Sequence, residues 1–158
     1  MRRLLMTLPL LGLAAAPAFA ADLKVENVWS RAAQQGQVGV LYFTVEGGDK
    51  ADRLLGVDTP VADRAELHES MHDGDMMKMR PVTAITVAPG QTLTLKPGGY
   101  HVMLLGLHRA LAAGDSFPVT IRFADSGAVS ATATVAKAGA GAPDDHATMH
   151  HDQGMTKH

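Results

Sequence analysis

Apolar and polar residues alternate in short runs from Asp22 to about Lys137, and no stretch keeps a 3.6-residue period long enough for a helix. The alternation predicts strands at Val25–Trp29, Gly39–Glu46, Arg53–Asp58, Ala65–Glu69, Met77–Pro81, Ile85–Val87, Thr92–Leu95, His101–Leu107, Ser116–Phe123 and Ala128–Val135. Between them stand Gly47-Gly48-Asp49, Asp73-Gly74, Pro89-Gly90, Pro97-Gly98-Gly99, Gly114-Asp115 and Ser126-Gly127, all suited to turns or to positive φ. Leu111 to Gly114 could hold one helical turn at most. Closely spaced strands with turns between them predict an all-β sandwich or barrel.

Both ends depart from this pattern. Arg2 and Arg3 precede the apolar run LLMTLPLLGLAAA, and Ala18-Phe19-Ala20 offers small residues where a signal peptidase reads, so residues 1–20 are expected to be a secretory signal peptide. The run is shorter than the roughly 20 residues of a membrane span and is interrupted by Pro9 and Pro17. The residues after the arginine pair do not complete a twin-arginine pattern. The domain is expected at 21–137, with no membrane span once the leader is removed. Residues 138–158, AGAGAPDDHATMHHDQGMTKH after Lys137, show no apolar periodicity and are expected to form a disordered tail.

Composition narrows the function classes. Without Arg2 and Arg3 the 14 basic residues fall to 12 against 16 acidic, a net charge of −4. Basic residues are concentrated nowhere, which argues against nucleic acid or an anionic membrane as partner. The chain has no cysteine, so thiol chemistry is excluded and the fold must rest on its core, although an exported protein could use disulfides.

The chemistry-bearing stretch is HESMHDGDMMKM, residues 68–79. In GGYHVMLLGL, strand alternation puts His101 and Met103 on one face, about 6.5–7 Å apart, with Tyr100, Val102 and Leu104 on the other. His68 lies in AELHES, on the face of Glu66 and opposite Leu67. Met77 and Met79 share a face in MMKMRPV, with Lys78 on the other. Two imidazoles and two thioethers suit a soft ion of low coordination number, Cu(I) far more readily than zinc, magnesium or calcium. Taken alone, the His101 and Met103 pair also fits a half-buried histidine beside a core methionine.

The spacing of His68, ten residues, Met79, twenty-one residues, then His101-x-Met103 resembles the signature of the periplasmic copper chaperones of the PCuAC family. VENVWSRAAQQGQVGVLYFTVEG, ADRLLGV at 51–57, MKMRPV at 77–82, LKPGGYHVMLLGL at 95–107 and GDSFPVTIRF at 114–123 are similar to that family's pattern, over roughly residues 23–135. The resemblance implies a cupredoxin-like Greek-key β-sandwich in the periplasm. It implies that one Cu(I) is held by His68, Met79, His101 and Met103 and passed to a copper acceptor during cytochrome c oxidase assembly. A cytochrome c oxidase subunit or a Sco-type thiol protein is the expected acceptor, and a non-enzymatic monomer is expected.

Neutral thioethers and imidazoles need little deprotonation to bind, and a thiolate acceptor can outcompete them. Within the stretch, Met71, three residues after His68, could offer a spare or alternative thioether, but that is the less favoured reading. Met76 faces solvent or loop, His72 lies in the acidic turn near Asp73 and Asp75, and Met77 packs beneath the site. His108 is a surface residue, Trp29 and Tyr100 belong to the core, and Arg31 and Arg53 are solvated or in structural ion pairs. The tail adds His146, Met149, His150, His151, Met155 and His158, whose imidazoles could take a second ion as Cu(II).

Rival readings are less well served. An electron-transfer cupredoxin needs a cysteine thiolate at its copper. An oxygenase gripping its metal with an N-terminal histidine is not matched by Ala21-Asp22-Leu23. A copper-buffering protein, or an Ig-like periplasmic interaction module using the methionines as a contact surface, remains open at this point.

Overall fold

In a computed structural model, which describes residues 22–137 and residue 139, the chain folds into ten strands. They are β1 (Lys24–Arg31), β2 (Gly39–Glu46), β3 (Asp52–Asp58), β4 (Ala62–Asp73), β5 (Met76–Pro81), β6 (Ile85–Val87), β7 (Thr92–Thr94), β8 (Tyr100–Leu107), β9 (Ser116–Phe123) and β10 (Ala128–Ala136). The expected signal peptide and the tail lie outside the described residues. No helix among the described residues is long and apolar enough to cross a membrane.

The strands join in the order β5-β4-β8-β2-β1-β10-β9-β3-β6, with β7 pairing to β2. All pairs are antiparallel except β1 with β10. The ladder folds over one shared core, as the all-β expectation required, in a cupredoxin-like arrangement. β9 shows the cause most plainly: Phe117, Val119, Ile121 and Phe123 are buried, and Ser116, Pro118 and Arg122 between them are exposed. They meet Leu41, Phe43 and Val45 of β2, Leu54 and Val57 of β3, and Val102 and Leu104 of β8. Burying side chains of this size contributes about 1.5–3 kcal/mol each, which lets the domain dispense with disulfides.

Two irregularities shape the strands. Asn27 adopts φ 50° where the β1–β2 register slips between Glu26 and Trp29, a bulge that asparagine tolerates better than most residues. Past it, Trp29 is buried against Tyr42, ring centroids 4.6 Å apart, with the Arg31 guanidinium 5.8 Å from the Tyr42 ring centre. In β8, Gly106 takes φ 69°, and a Cβ there would lie 2.2 Å from an Asp63 carboxylate oxygen. After it Leu107 turns into the core.

The largest difference from the sequence reading is β4, which spans twelve residues rather than Ala65–Glu69. Only Ala62 and Leu67 of β4 are buried, and every residue of β5 is exposed. The β4–β5 hairpin therefore continues past the core as a two-stranded ribbon turning at Gly74-Asp75, with Gly74 at φ 63°. Met71 and His72 sit in a strand, not a loop. Hairpin pairing extends β4 where burial does not, and pairing leaves no mark in hydrophobic periodicity.

Candidate metal centre

The register of three neighbouring strands decides which side chains meet. β4 pairs β8 with His68 opposite His101 and Glu66 opposite Met103; β4 pairs β5 with Ser70 opposite Met79 and His72 opposite Met77. Residues directly opposite in an antiparallel pair share a face, as do residues two apart on one strand. His68, Met79, His101 and Met103 therefore all lie on one face of the β5-β4-β8 sheet, at the edge where the hairpin leaves the core. The His68 and His101 ring centres are 6.0 Å apart, with ring planes at 32°.

Each imidazole is oriented by an oxygen. His101 is 4% exposed, and its Nδ1 lies 3.0 Å from the Gly99 carbonyl, which can only accept, so Nδ1 carries the proton and Nε2 keeps its lone pair. The same carbonyl accepts the Ser70 backbone N–H at 3.1 Å, tying the ring to the base of the hairpin. The His68 side chain is 13% exposed, and its Nε2 donates to Glu66 Oε2 at 3.2 Å. Its Nδ1 is then an acceptor in the neutral ring, and it is buried without any hydrogen-bond partner. A buried acceptor left unpaired costs about 1–3 kcal/mol.

The unpartnered Nδ1, the Nε2 of His101 and the two thioethers on the same face are of the donor types that suit a soft metal ion. Met103 is half-buried, whereas Met79 is 60% exposed. Among the described residues no group of three or more His, Cys, Asp or Glu could hold a metal, and the soft donors that share the face of the two imidazoles are methionine sulfurs. Sequence reasoning had put Glu66 on His68's face without giving it a role. The Gly99 carbonyl was out of its reach, because a backbone acceptor leaves no trace in residue type.

The remaining conspicuous residues sort as follows. Met77 is half exposed and packs beneath nothing, because β5 is an edge strand clear of the core. Met71 and Met76 are exposed on the opposite face of the hairpin. There Lys78 pairs with Asp73, and Arg80 pairs with Glu69 at 2.7 Å. His108 is exposed; its bond to Asp63 at 2.8 Å, together with the Pro60 carbonyl, raises its pKa. Trp29 is core, and Tyr100 packs against the core. His146, Met149, His150, His151, Met155 and His158 lie outside the described residues.

A cupredoxin-like sandwich with soft donors gathered on one face of an edge hairpin defines the class. Within it the chain belongs to the LpqE-like family, which matches residues 23–135. A curated relative, "Putative lipoprotein Lxx21020" of Leifsonia xyli subsp. xyli, is 31% identical over 125 residues, covering 78% of this chain and 75% of its own. Among solved structures, the copper-bound PCuAC domain from PmoF2 is 28% identical with TM-score 0.63, covering 75% of this chain and 97% of that one. The Cu(I) form of DR1885 from Deinococcus radiodurans is 32% identical with TM-score 0.53, covering 80% and 83%. The PCuAC resemblance read from the strands and the His and Met spacing thus holds for the whole domain.

Proposed function

We propose that this protein is an exported copper chaperone that carries one Cu(I) on His68 Nδ1, His101 Nε2, Met79 and Met103 and releases it to a copper acceptor. The observation that carries the reading is the unpartnered, buried Nδ1 of His68, in a ring whose centre lies 6.0 Å from that of His101 on the methionine face. Copper-bound PCuAC domains at 28% and 32% identity support copper as the cargo. The chemistry supports transfer. No donor is a thiolate, so binding needs no deprotonation beyond neutral imidazole, and a thiol-bearing acceptor has the stronger ligands.

The exposed Met79 is the natural exit point, since an incoming donor can displace the most accessible ligand before the two buried rings let go. Delivery during cytochrome c oxidase assembly is the acceptor role we assign, with no catalytic step on this chain. Export to the periplasm rests on the leader pattern of residues 1–20 and on a relative named as a lipoprotein. The tail histidines His146, His150, His151 and His158 are assigned an auxiliary Cu(II)-gathering role on their spacing alone; deleting 138–158 should lower Cu(II) uptake and leave Cu(I) uptake unchanged.

Anaerobic Cu(I) titration against a competing chelator, joined to X-ray absorption at the copper edge, tests the main reading. One tightly held Cu(I) in a mixed nitrogen and sulfur shell is expected. A chain that takes up no Cu(I), or a shell without sulfur, would remove the proposal.

A further inference from the structure

The methionine face does not end at Met79. One rung further along the hairpin His72 stands directly opposite Met77, on the face that carries Ser70 and Met79 and, before them, His68 and His101. Directly opposed residues of an antiparallel pair have Cβ atoms about 4.5–5.5 Å apart. A single ion between the two strands is within reach of both an imidazole nitrogen and a thioether sulfur from that rung.

The hairpin also sorts its side chains by chemistry. One face carries the ion pairs Lys78 with Asp73 and Arg80 with Glu69. The other carries His68, Ser70 and His72 on β4 and Met77 and Met79 on β5, with no charged carboxylate or ammonium between Glu66 and the turn. Met77 is 51% exposed and leans on no core, so packing does not explain an apolar side chain there. A solvated edge strand is ordinarily served by Lys, Thr or Glu. Thioether in place of those residues, opposite an exposed imidazole, has the donor types that Cu(I) selects.

We infer that His72 and Met77 form an outer, two-coordinate entry site for Cu(I) that hands the ion along the hairpin to Met79 and the inner centre. The inference rests on the inner centre proposed above. Residues two apart on a strand are separated by about 6.5–7 Å. That places Met79 one such step from the Met77 rung, and the reach of two flexible thioether side chains can close it. The transfer is a ligand exchange: the Cu–S bond to Met77 breaks as the bond to Met79 forms, copper remains Cu(I), and no electron or proton moves. His72 takes part as the neutral ring.

The test uses the full chain with 13C-labelled methionine methyls. It is titrated without oxygen first with Ag(I), a diamagnetic stand-in of the same charge, and then with Cu(I), and each methyl and imidazole is followed separately. Reading each residue by itself keeps the tail's donors from confusing the result. The first equivalent should shift the Met79 and Met103 methyls. Met77 and the His72 ring should shift together later in the titration, and His72→Gln should abolish the Met77 shift while sparing Met79 and Met103. A Met77 methyl unmoved when the whole chain is saturated, or one that moves equally in His72→Gln, overturns the outer site. Movement of Met77 and His72 without Met79 and Met103 would instead overturn the inner centre and leave the outer pair standing.

Discussion

Two buried polar clusters sit in this sandwich, and they differ in whether their hydrogen bonds close. Asp52 is 4% exposed and accepts backbone N–H groups of Arg53 at 2.7 Å, Asp125 at 3.0 Å and Ser126 at 2.9 Å. Burial pushes its carboxyl upward, yet the bonds from Ser126, Asp125 and Arg53 outweigh burial and hold it at about 2. The cluster leaves no acceptor capacity pointing nowhere. At the root of the β4–β5 hairpin, by contrast, His68 keeps a buried Nδ1 with no partner, and Met79, on the same face, is 60% exposed. A satisfied cluster fastens a loop, whereas an unsatisfied one carries a cost that a ligand can remove.

The largest expected effect falls on the open cluster. Met103→Leu keeps side-chain volume and should cost less than about 1.5 kcal/mol of stability. His101→Ala removes a ring nitrogen outright. Both should weaken Cu(I) binding by on the order of 100-fold or more, beyond the 10–100-fold typical when only an orienting partner is lost. Competition titration reads the affinity, and thermal unfolding checks the fold. Parental affinity in either variant would show that the unpartnered Nδ1 is a structural defect and not half of a centre.

The closed cluster should respond in the opposite way. Asp52→Ala leaves three part-buried N–H groups without their acceptor and should destabilise the domain by about 2–3 kcal/mol, while Cu(I) affinity stays at the parental value. A variant that unfolds no earlier, or one that loses copper while remaining folded, would erase the contrast.

How far the two clusters could be read in the sequence also differs. All ten strands were legible, because alternation and turn residues report burial and positive φ directly. The shared face of the four residues proposed as inner ligands was only partly legible: parity put His101 with Met103 and His68 off the face of Leu67, and the family resemblance joined Met79 to them. What parity could not supply is register. That His68 lies opposite His101, and His72 opposite Met77, depends on how three distant segments slide against one another, fixed by the Gly74-Asp75 turn and the Gly99 carbonyl. The length of β4 was missed for a related reason, because its outer half is held by pairing and ion pairs and not by burial. Asp52 gave no signal, since its partners are backbone groups that every residue type shares.

The acid limb of stability sharpens the role of Asp52. Its carboxyl titrates near 3.8 in the unfolded chain and at about 2 in the folded one. The stabilisation is therefore fully present above about pH 4 and is lost as pH falls through 2, because the unfolded chain takes up the proton first. That shift corresponds to at most about 2.5 kcal/mol. Chemical denaturation between pH 5 and 2 should show a decline that is shallower in Asp52→Asn, which has no such proton to take up. Parallel declines in the two proteins would mean that other carboxylates govern acid unfolding.

The smallest effect concerns Glu66, which hydrogen-bonds His68 and stands opposite Met103 on the face of the proposed centre. Its Oε2 accepts the Nε2–H at 3.2 Å while its Oε1 accepts from Arg64 at 3.0 Å, so the carboxylate fixes both the tautomer and the tilt of the ring that presents Nδ1. Glu66→Ala frees the ring to rotate or to move its proton to Nδ1 and should weaken Cu(I) binding by about tenfold. Glu66→Gln still offers a carbonyl acceptor to Nε2–H and should recover most of that loss. Neither should move stability by more than about 0.5 kcal/mol, because the carboxylate is partly solvated, its side chain 39% exposed. The rescue separates the two roles of the charge. If Gln restores binding, Glu66 acts by holding the ring; if Gln is as weak as Ala, the negative charge itself holds the cation. If Ala binds as the parent does, His68 is oriented by strand packing alone, and the open cluster owes nothing to its carboxylate neighbour.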